Sequence, residues 1–185
     1  VPMPTVFAGD AHSEKFKNAC YFTDSSLGDF FKAIKQMDWY KNTLFVLVAD
    51  HGHYLPKNRR FDEPGRYHIP LLFFGDVLKE AYRGKKITGA GSQTDIATTL
   101  LKQLQLPDTA FKWGNDLLDP RRKPFAFYTF DDGFAWLSGN DTLIFDNRAK
   151  RLLYPRDQPS IPYSDSVLTT GKAYMQTLYE AFLNY

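Results

Sequence analysis

An acidic residue and a histidine stand side by side directly after a run of apolar residues. Asp50 and His51 follow the segment 44–49, which is uninterrupted in apolar residues and rich in β-branched ones. Such a run predicts a strand buried on both faces of a parallel sheet, and ligand sites lie just beyond the carboxyl ends of such strands. A carboxylate beside a neutral imidazole suits a divalent cation such as zinc, manganese or magnesium. The pair predicts half of a metal site, and Gly52 allows the chain to turn beside it.

Two adjacent ligands cannot fill a coordination sphere, so other histidines are candidates for the rest. His68 immediately precedes the next apolar run, at 69–74, and is predicted to enter the same site; the alternative is a histidine that bonds a loop carbonyl. His53 is predicted to contact the substrate, or to contact the metal ligands without binding the metal itself. His12 lacks such a context and is predicted to lie on the surface.

The loop between the two apolar runs is basic. Arg59 and Arg66 are candidates for holding a phosphate or sulfate ester beside the metal, with Lys57 and Arg60 in the same loop. A guanidinium group pairs with such oxyanions through two parallel hydrogen bonds. The competing interpretation is a solvated loop with no ligand.

The elements that position these residues follow from hydrophobic spacing. Thr23 or Asp24 is predicted to cap a helix over 25–37, and a second capped helix is predicted over 94–105. The runs at 44–49 and 69–74 are predicted to be neighbouring parallel strands. A short helix is predicted near 76–82.

From residue 120 the pattern changes to short alternating segments separated by turn residues. This pattern predicts an antiparallel meander followed by a C-terminal helix over 165–183. The strands are predicted at 125–130, 134–137, 142–146 and 152–154, and a proline-containing loop at 155–162 leads to the helix. The fold class is therefore predicted as α/β, within a single domain that has an α/β part at 1–119 and a meander plus helix at 120–185.

Composition excludes some functions and restricts others. The 185 residues carry a net charge of +2, which is too small to predict nucleic-acid binding. The one cysteine, Cys20, allows no internal disulfide and is predicted to be buried in an apolar setting. The apolar runs are too short to span a membrane, and no signal peptide is recognisable. The chain starts without methionine and has few parallel strands, so we expect it to be the C-terminal part of a longer protein.

Several segments, in order along most of the chain, resemble the alkaline-phosphatase/sulfatase superfamily. The segment 43–52 is similar to the superfamily's strand and metal loop, and 68–71 to its next strand. The other similar segments are 21–31, 93–101, 113–118 and 171–174, the last two resembling the lipoteichoic-acid-synthase-like branch of phosphoglycerol transferases and sulfatase-like relatives.

The resemblance implies a metal-dependent enzyme in which a threonine or a modified cysteine attacks a phosphate or sulfate ester. It also implies that Asp50 and His51 are two of the metal ligands, and that the nucleophile lies in an N-terminal half not included here. Cys20 is followed by Tyr21 and Phe22 and does not match the sulfatase motif. The chain alone is therefore expected to be inactive and to bind metal weakly. Its parent is expected to be membrane-anchored with this domain at the cell envelope, outside the cytoplasm, acting on esters that include phospholipid headgroups.

Two other interpretations remain open. The chain can be a binding or regulatory module that keeps the sulfatase-like fold without chemistry. A small zinc protein that uses Asp50, His51 and His53 is the weaker alternative, because adjacent ligands give awkward geometry.

Overall fold

The computed structural model describes residues 5–9, 11–139, 141–154 and 165–184. The chain divides into two compact units, Val1–Lys85 and Lys86–Tyr185, each described by itself. The division at residue 85 precedes the predicted change of texture at residue 120. The predicted loop at 155–162 lies outside the described residues.

The first unit begins with a helix that is longer than its sequence pattern predicts. Helix α1 spans His12–Ile34, so the prediction of a start at residue 25, with a cap at Thr23 or Asp24, is wrong. The Thr23 hydroxyl donates to the Ala19 carbonyl at 3.0 Å, and Ser26 bonds Phe22 in the same way at 2.8 Å. Hydroxyl side chains can bond the carbonyl four residues earlier inside a helix as readily as they cap one. Cys20 is exposed on this helix, so its predicted burial is also wrong.

Two short strands follow, β1 at Phe45–Val48 and β2 at Leu71–Phe74. They pair antiparallel, with Phe45 opposite Phe74 and Val48 opposite Leu71, which corrects the prediction of parallel strands. Parallel strands are usually connected by a crossover α-helix, whereas the connection here contains only a three-residue 3-10 helix at Pro64–Arg66. The prediction of burial on both faces is wrong as well, because no residue of either strand is fully buried.

Aromatic packing fixes the strand pair against α1. Phe31 of α1 meets the rings of Phe45 and Phe74 edge-on at 5.3 and 4.7 Å, and those two rings stack at 5.0 Å. Ile34 at the end of α1 is buried. Tyr40, within a 3-10 helix at Asp38–Asn42, is also buried, and its ring lies 5.4 Å from that of Phe45. A further 3-10 helix at Glu80–Tyr82 stands within the short helix predicted at 76–82.

The second unit contains a helix, a meander and a C-terminal helix, as predicted. Its elements are α2 at Asp95–Gln103, β3 at Phe125–Phe130, β4 at Gly133–Ser138, β5 at Asp141–Asp146, β6 at Arg151–Tyr154 and α3 at Asp165–Leu183. The strands pair antiparallel in the order β3-β4-β5-β6. The mixed α/β class, the antiparallel meander and the C-terminal helix are confirmed.

The core of this unit lies between the meander and α3. Phe134, Leu143 and Phe145 form its centre, and Val167, Leu168 and Met175 of α3 pack against them. β4 and β5 are the two middle strands of the sheet, which explains why the centre of the core comes from them. At Gly171 the backbone of α3 approaches the sheet so closely that an added Cβ would lie 2.5 Å from Phe134 Cε2.

Candidate metal centre

Asp50 and His51 lie just past the end of β1 with both side chains in solvent. The Asp50 side chain is 88% exposed and that of His51 is 75% exposed. Asp50 Oδ2 and His51 Nε2 lie 3.6 Å apart. Asp50 Oδ1 accepts the backbone N–H of His51 at 2.9 Å, which holds the carboxylate toward its neighbour. The structure therefore brings the two predicted ligands together at an accessible surface.

The ring of His51 is oriented by its own loop. His51 Nδ1 lies 2.7 Å from the carbonyl oxygen of Gly52. A carbonyl only accepts, so Nδ1 carries the proton and Nε2 of the neutral ring presents a lone pair. Histidines that ligate metals characteristically donate their other N–H to a carbonyl or carboxylate in this way.

The donor pair fits a divalent cation. Two ligands at about 2.1 Å in tetrahedral geometry stand roughly 3.4 Å from each other, close to the observed 3.6 Å between Oδ2 and Nε2. Two lone-pair donors at this distance repel each other unless a proton or a cation lies between them. Within the described part of the chain, no three His, Cys, Asp or Glu side chains are grouped closely enough to hold one ion. The geometric fit to a cation therefore concerns the donor atoms of Asp50 and His51 alone.

His53 belongs to the scaffold of the loop. Its ring stacks on Phe16 of α1 at 4.5 Å with 9° between the planes, and on Tyr54 at 4.6 Å. Its Nδ1 accepts the backbone N–H of Leu55 at 3.0 Å. These contacts hold the segment that contains His53 against α1. The sequence pattern did not predict the contribution of Phe16.

The basic loop folds back against the backbone at Gly52. A Cβ at Gly52 would meet the Arg66 carbonyl oxygen at 1.9 Å, so only glycine permits this approach. The Arg66 guanidinium lies over the Tyr54 ring, 5.7 Å from its centroid. Arg59 packs along Gly65, where its Nε would be 2.5 Å from an added Cβ.

A buried carboxylate that sequence reasoning missed also orders this loop. Asp62 is almost fully buried, and its Oδ1 accepts Arg60 Nε at 3.1 Å. A buried charge is stable only when it is paired and hydrogen-bonded. No spacing rule in the sequence marks Asp62 as buried.

His68 is exposed three residues before β2, and His12 is exposed at the first turn of α1, as predicted for a surface residue. Helices in the described portion are all too short or too polar to cross a bilayer.

Comparison with known proteins places these features in a family. Residues 8–106 match the family model described as sulfatase, and this range includes Asp50, His51, His68 and the basic loop. Arylsulfatase K of Canis lupus familiaris is 33% identical over 86 residues, which cover 44% of this chain and 16% of that protein. Arylsulfatase K of Danio rerio is 24% identical over 152 residues, 80% of this chain and 28% of that protein.

Two further similarities are to a bacterial protein and to a solved structure. A lipoteichoic acid synthase-like protein of Bacillus subtilis is 26% identical over 119 residues, 57% of this chain and 19% of that protein. The crystal structure of a protein in the alkaline phosphatase superfamily from Vibrio parahaemolyticus shares the fold, with a TM-score of 0.74 and 21% identity. That match covers 100% of this chain and 46% of the other. The chain thus spans between about one-sixth and just over one-quarter of the length of these curated relatives. The family model covers more than half of the 185 residues, and the chain belongs to the sulfatase family.

Proposed function

We propose that this chain forms part of the centre of a metal-dependent enzyme that cleaves or transfers phosphate or sulfate esters. Asp50 and His51 hold a divalent cation, which is manganese, zinc or magnesium. The observation that carries the proposal is the pair of donor atoms, Asp50 Oδ2 and His51 Nε2, 3.6 Å apart at an exposed loop after β1. Family membership supports it, since the matched range includes both residues.

In this proposal the residues of this chain bind the cation and orient the ester. A bound divalent cation supplies polarisation of the ester oxygens. The Gly52 carbonyl keeps the His51 ring in the ligating tautomer, and the His53 stack keeps the loop against α1. Arg66 and Arg59 bring positive charge to the same loop, where guanidinium groups pair with the oxyanion of an ester.

The nucleophile and the remaining ligands come from outside these 185 residues in this proposal. The described residues group no third ligand with Asp50 and His51, which supports a divided site. We therefore expect the isolated chain to bind manganese or zinc weakly and to turn over no ester. Calorimetry on the isolated chain checks this, and tight stoichiometric binding would contradict it.

The names of two relatives support two classes of substrate. The name arylsulfatase K favours a sulfate ester. The similarity to a lipoteichoic acid synthase-like protein leaves phosphate esters, including phospholipid headgroups, as the second substrate class of this proposal. We propose that the whole protein is membrane-anchored and presents this domain at the cell envelope, outside the cytoplasm. Comparing the hydrolysis of p-nitrophenyl sulfate and p-nitrophenyl phosphate by the complete protein distinguishes the two ester classes.

Replacement of Asp50 tests the proposal. In the complete protein, Asp50→Asn keeps the size of the side chain but removes the charge that the cation requires, so ester turnover is expected to fall at least 100-fold, on the order of the loss seen when a main electrostatic contact is removed. Asp131→Asn, in the exposed turn between β3 and β4, is the matched control. Unchanged turnover in Asp50→Asn would favour a binding module that keeps the fold without chemistry.

A further inference from the structure

Tyr54, three residues after the candidate ligand His51, contacts both arginines that are candidates for ester binding. The Arg66 guanidinium lies over the Tyr54 ring, 5.7 Å from its centroid. The Tyr54 carbonyl accepts the backbone N–H of Arg59 at 2.8 Å. The Tyr54 ring also stacks on that of His53 at 4.6 Å. Tyr54 thus connects the segment that follows the ligand pair to the basic loop.

Two arginines of this loop lie over aromatic rings, but only one of them is paired with a carboxylate. Arg60 lies 6.0 Å from the centroid of the Phe61 ring, and its Nε donates to the buried carboxylate of Asp62 at 3.1 Å. Arg66 forms no ion pair with any other residue that the structure describes. A guanidinium that neutralises a buried carboxylate is engaged, whereas one that lies on a ring keeps its N–H donors for an oxyanion.

The backbone of Arg66 is also held against the segment that follows the ligand pair. A Cβ added at Gly52 would collide with the Arg66 carbonyl oxygen, so the two backbones touch one residue after His51. Arg66 is therefore fixed twice, by its backbone at Gly52 and by its guanidinium at Tyr54.

We propose that Tyr54 is a positioning residue, which holds the Arg66 guanidinium ready to bind the oxyanion of the phosphate or sulfate ester at Asp50 and His51. This inference rests on the proposed function of that pair. An arginine side chain has many rotamers, so a guanidinium that is held on a ring before the ester arrives loses less conformational entropy on binding. The ring therefore affects the affinity for the ester and not the chemical step.

Kinetics of the complete protein on p-nitrophenyl sulfate or p-nitrophenyl phosphate test the role of the ring. Tyr54→Leu is expected to raise KM about 2- to 5-fold, the fold-change that corresponds to an exposed cation–π contact, with kcat and metal content at the wild-type level. Tyr54→Phe keeps the ring and is expected to keep KM near the wild-type value. Phe61→Leu removes the ring beneath the paired Arg60 and is the matched control, with KM unchanged. An equal rise of KM in Tyr54→Leu and Phe61→Leu would overturn the inference.

A double-mutant cycle tests whether the ring acts through Arg66. Arg66→Ala is expected to raise KM about 10- to 100-fold, the range for a hydrogen bond to a charged group. Adding Tyr54→Leu to Arg66→Ala is expected to change KM no further, because the ring then has no guanidinium to hold. A further rise in the double variant as large as that in Tyr54→Leu alone would show that the ring acts independently of Arg66.

The Asp50→Asn variant separates this inference from the proposed function. If Asp50→Asn abolishes turnover while Tyr54→Leu and Arg66→Ala leave KM unchanged, this inference alone is wrong. If Asp50→Asn retains full turnover, the proposed function itself fails.

Discussion

The strands beside the candidate metal centre and the strands of the meander are built in opposite ways. In β1 and β2 no residue is fully buried, and Val48 and Leu72 are 42% and 53% exposed. In β4 four consecutive residues are buried, and Phe134 is completely inaccessible. Buried apolar area is the main source of folding free energy. The second unit therefore holds a core of its own, whereas the strands beside the candidate metal centre contribute little burial among the described residues.

Truncation of core and strand side chains gives the largest expected contrast. Phe134→Ala removes a fully buried ring from the centre of the second unit and is expected to cost about 3–5 kcal/mol of unfolding free energy. Leu72→Ala, at a half-exposed position of β2, is expected to change it by less than about 1 kcal/mol. Urea unfolding of both variants measures the two values. Equal losses would show that β2 is as well buried in solution as β4.

A buried carboxylate in the second unit gives the next largest effect. Asp95 Oδ2 accepts the Ser92 N–H at 2.7 Å, and Oδ1 accepts the Asn115 N–H at 2.8 Å. Asp95→Ala leaves these donors without their acceptor and is expected to cost about 1–3 kcal/mol. Asp131→Ala, in an exposed turn, is the control. An equal and small effect in both variants would mean that water replaces the carboxylate at Asp95 without loss.

The smallest predicted effect depends on alkaline pH. Burial, and secondarily the charge of Asp95, raise the pKa of Tyr174 above the ordinary tyrosine value. The neutral ring is favoured in the folded state, so its contribution is complete below the unfolded pKa of about 10 and is lost as pH rises through the raised folded pKa. Tyr174→Phe cannot ionise and is expected to lose less stability than the wild type between about pH 8 and pH 11. An identical loss in both proteins would contradict this assignment.

The contrast between the β1–β2 pair and the meander also explains how much of the fold the sequence predicted. Alternation between turn residues predicted β3 to β6 within about a residue and α3 at its observed limits, because a meander pairs neighbours along the chain and buries its own face. The pairing of β1 with β2 was predicted wrongly. Their apolar runs indicate burial but carry no information on direction, which is set by the irregular loop between them.

The sequence predicted the candidate ligand pair but not the residues that hold its loop in place. Asp50 and His51 stand out because they directly follow an apolar strand. The stack of Phe16 on His53 and the buried Asp62 depend on contacts between segments distant in sequence or on the path of an irregular loop. Spacing along the chain does not encode such contacts.

Metal analysis of the complete protein tests the central claim most directly. Wild type, Asp50→Asn, His51→Gln and the exposed control His12→Gln are purified in the presence of manganese or zinc, and bound metal is measured by mass spectrometry. The account predicts stoichiometric metal in wild type and in His12→Gln and its loss from Asp50→Asn and His51→Gln. Wild-type metal content in both Asp50→Asn and His51→Gln would contradict it.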